Sequence, residues 1–146
     1  MPSEYKPNLG VIEITAATTL NDDAYAGRTI NLNSTTGRIV TLPLATGSGA
    51  TYTIFVGATV SSGSHVIRVA PGTNVIQGAV AIATDIAGVT CPTAADSDTI
   101  TLSGSTTGGV RGSLIELQDV ASGIWMVRGS LVSTGAEATP FSAAVS

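Results

Sequence analysis

The chain has 146 residues, 43% of them hydrophobic and only 11% charged, with 17 glycines and a formal net charge of −4. A core of this length buries roughly 70% of the surface that the unfolded chain exposes, so one domain is expected, and an apolar, weakly charged composition excludes disorder for most of it. The six Lys and Arg are scattered singly between Lys6 and Arg128 and the isoelectric point is about 4.6, which excludes a phosphate-binding basic patch and nucleic acid as a partner. No apolar run approaches the ~20 residues that span a bilayer, and the start Met-Pro-Ser-Glu-Tyr-Lys-Pro has no signal-peptide pattern. The expectation is synthesis in the cytoplasm, with no membrane partner.

Residues 1–10 carry two prolines and no periodicity and read as an extended arm. Between Glu13 and Tyr25, Ala16, Ala17, Leu20 and Ala24 allow a helical turn or two, while neighbouring threonines and branched residues oppose a long helix. Thr29–Asn33 alternates polar and apolar residues, placing Ile30 and Leu32 on one face of a strand. Ser34–Gly37 reads as a turn, Ile39–Leu42 as a strand ended by Pro43, and Thr46–Gly49 as the next turn. Thr51–Val56 alternates again, with Tyr52, Ile54 and Val56 sharing a face, and His65–Ala70 follows, closed by Pro71–Asn74.

Val75–Gln77 and Val80–Ala83 are two short strand candidates, and Thr84–Ser97 is the least regular stretch. Thr99–Leu102, the glycine-rich loop Ser103–Gly109, Ser113–Gln118, a turn at Ala121–Gly123 and Ile124–Arg128 complete the pattern. Ile30-Asn31-Leu32 before Ser-Thr-Thr-Gly echoes Thr99–Leu102 before Gly-Ser-Thr-Thr-Gly, which suggests two similar hairpins. Short strands separated by turn residues every 8–12 positions predict an all-β fold, an antiparallel sandwich or a tulip-like or jelly-roll-like barrel with little or no helix. The expected organisation is an arm over 1–10, one β domain over 11–134 and an Ala/Ser/Thr-rich tail over 135–146.

Residues able to do chemistry are few. His65 is the only histidine and lies in a strand with no nucleophile elbow; Cys91 is the only cysteine and has no neighbour that would lower its pKa. Asp22-Asp23 and Asp96-Ser97-Asp98 are oxygen-rich but lack the ligand density of a calcium loop, so turn capping explains them. The loop Gly104–Gly112 has no lysine and runs into a strand, so it is not a P-loop. Arg38, Arg68, Arg111 and Arg128 read as solvated or paired with acids such as Glu116 and Asp119. Trp125, between Ile124 and Met126 and near Val127, reads as core rather than as a sugar-stacking platform. No catalytic residue, metal site or cofactor is expected. A chain with this much uncharged β surface is expected to cover its sheet edges by assembling with copies of itself.

From about Arg28 to Thr134 the sequence resembles a recurrent module of tailed-bacteriophage virion proteins, the small head-decoration (cement) proteins. The resemblance is carried by Val40-Thr41-Leu42-Pro43 with Ala45–Ala50, Tyr52–Gly57, Ser64–Ala70, Val75–Gly78, Asp98–Leu102, Gly112–Leu117 and Gly123–Gly129. It implies a β-sandwich or β-tulip domain that forms a homotrimer on the outer capsid surface of the virion and bridges neighbouring subunits of the major capsid protein. The alternative is a head-fibre or tail-fibre module that binds host-surface glycans through loops. Residues expected to contact the capsid or a second subunit are Tyr5, Lys6 and Leu9 in the arm and Phe141 in the tail.

Overall fold

The computed structural model describes residues 10–145, and Tyr5, Lys6 and Leu9 lie outside the described residues. Strand makes up 46% of the chain and helix 3%, so the fold is all-β as expected. In chain order the elements are β1 (Ile12–Glu13), β2 (Thr18–Thr19), α1 (Asp22–Tyr25), β3 (Thr29–Leu32), β4 (Ile39–Thr41), β5 (Thr51–Val56) and β6 (His65–Arg68). β7 (Val75–Ala83), β8 (Gly88–Pro92), β9 (Thr99–Leu102), β10 (Leu114–Ala121), β11 (Ile124–Val132) and β12 (Phe141–Ser142) follow. They form two sheets. Sheet A has seven strands in the order β1-β3-β5-β10-β11-β7-β8, and sheet B has five in the order β12-β9-β6-β4-β2.

The pairing is mixed rather than purely antiparallel. β1–β3, β3–β5, β2–β4, β4–β6 and β7–β11 are parallel. The reason lies in the turns of the first half, which carry each strand into the other sheet instead of folding it back on itself. Strands β1 to β6 therefore alternate between sheets and wind as three stacked coils, so the neighbour within a sheet is the strand one coil later. The corners stack too: Ser61 and Ser62 donate their amides to the Thr35 carbonyl at 2.8 and 3.0 Å, and Gly37 donates to Ser62 at 2.8 Å. A side chain at Gly37 would run into the Ser64 backbone, which is why glycine stands at that corner. The Ser-Thr-Thr-Gly echo is likewise two crossings between sheets, β3 to β4 and β9 to β10, and not two hairpins.

Period-two alternation sends one face of each long strand into a single core between the sheets. Tyr52, Ile54 and Val56 of β5 are buried as expected, and Ile115 and Leu117 of β10 and Trp125 and Val127 of β11 join them against Ile67, Ile100 and Leu102 of sheet B. Each such aliphatic or aromatic side chain contributes about 1.5–3 kcal/mol on burial. Trp125 packs its ring against Tyr52 with centroids 5.6 Å apart, and its indole N–H donates to the Pro43 carbonyl at 3.2 Å.

The local expectations differ from the structure in three places. The two candidates at 75–77 and 80–83 are one strand, β7, crossed at Gly78; there φ is +146° and the Val127 carbonyl lies where a side chain would begin. The irregular stretch contains β8, which lacks alternation because nearly all of it is exposed at the edge of sheet A. The tail is not a tail: Phe141 pairs opposite Ile100, so β12 closes an edge of sheet B, and Phe141 is 8% exposed. Among the described residues helix is confined to α1, capped by the Asn21 side chain, which accepts the Ala24 amide at 2.9 Å.

Candidate functional site

The densest polar constellation lies at one end of the sandwich and holds loops in place. Asp119, near the end of β10, is 2% exposed and sits under the turn at 46–49. Its carboxylate accepts the Thr46 amide at 2.9 and 3.1 Å, the Gly47 amide at 2.6 Å and the Ser48 hydroxyl at 3.0 Å. Burial alone would push this carboxyl up, but the backbone amides of Thr46, Gly47 and Ser48 and the Ser48 hydroxyl outweigh it and hold it below the usual carboxylate range. Beside it the buried Asn74 side chain accepts the Ala45 amide at 3.0 Å, and the Ala45 carbonyl accepts the Gly123 amide at 3.0 Å. Three loops are thereby fixed around a groove of about 290 Å³, lined by Leu44, Ala45, Thr46, Thr73, Asn74, Ser122 and Gly123. No titratable side chain lines it.

The sequence candidates do not converge. His65 is fully buried in β6; its Nδ1 accepts the Arg38 amide at 3.0 Å, and Nε2 has no hydrogen-bond partner among the described residues. Burial lowers its pKa, with a further push from Arg38, and the Ser34 backbone offsets only part of this, so the ring stays neutral. Cys91 is 9% exposed on β8 of sheet A, in the other sheet from His65. Asp22 accepts the Tyr52 phenol, whose pKa is pushed far up by burial and by that carboxylate, while Asp98 accepts the Thr99 hydroxyl at 2.8 Å and the Val145 amide at 3.1 Å. No three His, Cys, Asp or Glu side chains gather as a metal site among the described residues.

The glycine-rich loop between β9 and β10 closes on itself: the Gly104 amide donates to Gly108 at 2.7 Å, and the Ser113 hydroxyl accepts the Gly109 amide at 3.2 Å. Those two amides are taken within the loop and its flank. Arg128 pairs with Glu116 at 3.0 Å, one of the two acids expected to pair with the arginines, whereas Asp119 is turned inward to its loop. Arg111 donates to the Gly57 carbonyl at 3.0 Å and Arg68 to the Thr41 hydroxyl at 3.3 Å. Trp125 is fully buried. Phe141, expected as a contact to a shell or a second subunit, is packed into this chain's own core, because its register opposite Ile100 turns the ring inward.

Sequence reasoning missed the Asp119 clamp, whose only local signal is an acid at an inward position of an alternating strand. It also missed the outer face of sheet A. There Asn31, Phe55, Leu114, Ser130, Ala81 and Thr90 stand in one cross-strand row over β3, β5, β10, β11, β7 and β8, none of them charged and none buried. At about 4.8 Å per strand this row is roughly 24 Å wide. The next row holds Thr53, Glu116 and Arg128, whose two charges neutralise each other. No protein-family model matches the chain, and neither a curated protein nor a solved structure resembles it detectably.

Proposed function

We propose that the chain is a non-enzymatic capsid decoration (cement) protein that assembles with copies of itself, as a homotrimer, on the outer surface of a tailed-phage capsid and clamps neighbouring major-capsid subunits. The observation that carries the reading is the six-strand uncharged row on the outer face of sheet A. A broad face whose central charges are one self-neutralised ion pair, with Glu13 at its β1 edge, suits apposition to another protein surface, where central unpaired charges would have to be desolvated. The chain's buried polar side chains support this division of labour: Asp119 and Asn74 fix loops, and Asp98 holds the Val145 amide just after β12. Binding the assembled lattice in preference to free subunits would stabilise the shell by mass action. The alternative glycan-binding reading has lost its tryptophan candidate, since Trp125 is fully buried.

The test is co-sedimentation of the purified chain with capsids lacking it, together with the melting temperature of those capsids. The expected result is saturable binding and a higher capsid melting temperature, and Phe55→Asp is expected to weaken binding without unfolding the chain. A chain that leaves capsids unbound and their melting unchanged would refute the reading.

A further inference from the structure

The hairpin between β7 and β8 ends in an acidic, apolar tip. Every residue from Asp85 to Thr90 is exposed, and Ile86 at the tip is 93% exposed. The tip is nonetheless pre-shaped: the Thr84 amide donates to the Ala87 carbonyl at 2.8 Å, and the Ala87 amide donates to the Thr84 hydroxyl at 3.2 Å. Little ordering entropy is left to lose on docking.

The outer face of sheet B carries a complementary feature. A groove of about 340 Å³ has walls that include Val66, Val69, Pro71 and Val145, with Arg68 as its one charged lining residue. Arg68 donates through Nε to the Thr41 hydroxyl, which orients the guanidinium and, among the described residues, leaves its two terminal nitrogens for a carboxylate in fork geometry. The volume lies in the range of ligand-holding clefts, and valines and a proline set beside Thr41, Thr99 and a single cation suit an apolar group with a carboxylate next to it. Asp85 and Ile86 are that pair.

The hairpin cannot fill the groove of its own chain. It belongs to the edge of sheet A, whereas the groove opens on the face of sheet B that points away from sheet A. We propose that the groove receives the hairpin tip of a second copy of this chain, with Ile86 between Val66 and Val145 and Asp85 paired to Arg68. Tip and groove are different patches, so the contact is head-to-tail and closes into a ring when the rotation allows it. This names the subunit contact of the assembly proposed above and rests on that reading.

Light scattering behind size exclusion tests it. The wild-type chain is expected at about three times 14.5 kDa, and Ile86→Asp and Arg68→Glu are each expected to weaken association at least about tenfold. The exchange pair Asp85→Arg with Arg68→Asp is expected to recover association relative to either single variant. All three positions are exposed, so unchanged circular dichroism and melting identify folded variants, and Ile86→Ser is the milder second substitution at the tip. A wild-type monomer, folded variants that keep the full mass, or an exchange pair with no recovery would each overturn the docking; in the second case the groove has another occupant. A wild-type monomer that still binds capsids overturns the docking and the homotrimer but leaves the capsid attachment standing, while an assembly broken by these variants that never binds capsids supports the docking and sinks the capsid reading.

Discussion

The Asp119 carboxylate holds the Gly47 amide at 2.6 Å across 72 residues of chain. One side chain thus ties the turn after β4 to the end of β10, and the turn cannot keep its shape without it. The geometry is that of an anion seated in a cup of backbone amides, with the anion supplied by the protein itself.

Asp119→Ala is expected to destabilise the fold by about 2–4 kcal/mol, because the turn amides lose a charged acceptor while still shielded from water. Asp119→Asn keeps the shape and is expected to cost less. The folded-state pKa of Asp119 is depressed, so its contribution is present above the unfolded carboxylate value of about 3.9 and is lost as pH falls through the lower folded value. Urea midpoints of wild type and Asp119→Asn should therefore converge in acid. A gap that stays constant below pH ~3.9 would contradict the clamp.

His65 gives the opposite handle. Its pKa is lowered in the folded state because the neutral ring is buried, so folding releases a proton wherever the unfolded histidine still holds one. The stability it confers is complete above the unfolded value of about 6.5 and falls as pH drops from there toward the folded value. Denaturation midpoints at pH 7.5 and pH 5.5 should differ for the wild type and differ less for His65→Gln, and equal slopes in the two proteins would show that the ring titrates freely.

Trp125 is the only tryptophan, so its fluorescence reports this core alone. Emission should be blue-shifted in the folded protein and move red in one step with loss of the β-type circular dichroism. Trp125→Phe keeps the ring contact with Tyr52 but orphans the Pro43 carbonyl and leaves a partial cavity, at an expected cost of about 1–3 kcal/mol. A variant as stable as the wild type would mean that the indole hydrogen bond contributes nothing.

What the sequence reveals is the local alternation. Thr51–Val56 reads as a strand with Tyr52, Ile54 and Val56 inward, and those bounds and that face are the ones observed. What it conceals is partnership. Ile39–Leu42 looks the same whether its neighbour runs up or down, because side-chain period is set within a strand while direction is set by where the next turn leads. Two-residue strands such as β1, β2 and β12 are invisible for a related reason: they are extended only because a longer neighbour pairs with them. For the same reason Phe141 reads as a loose anchor although it is core. Of the chemistry, the isolation of His65 and Cys91 is legible, since neither has a helper residue nearby in sequence. The inward turn of Asp119 is not, because its amide donors lie far away along the chain.

The placement of β5 has a consequence during synthesis. It sits between the coiled first half, through β3, and the β10–β11 hairpin. A nascent chain can wind its first three coils as soon as β6 has emerged, yet β5 then keeps a bare edge until β10 arrives. At about 5–20 residues per second that edge stands open for several seconds on the ribosome, a window in which neighbouring chains on one message can pair wrongly. Slower translation of the segment between β6 and β10 should therefore lower the soluble yield without altering the stability of the molecules that finish folding.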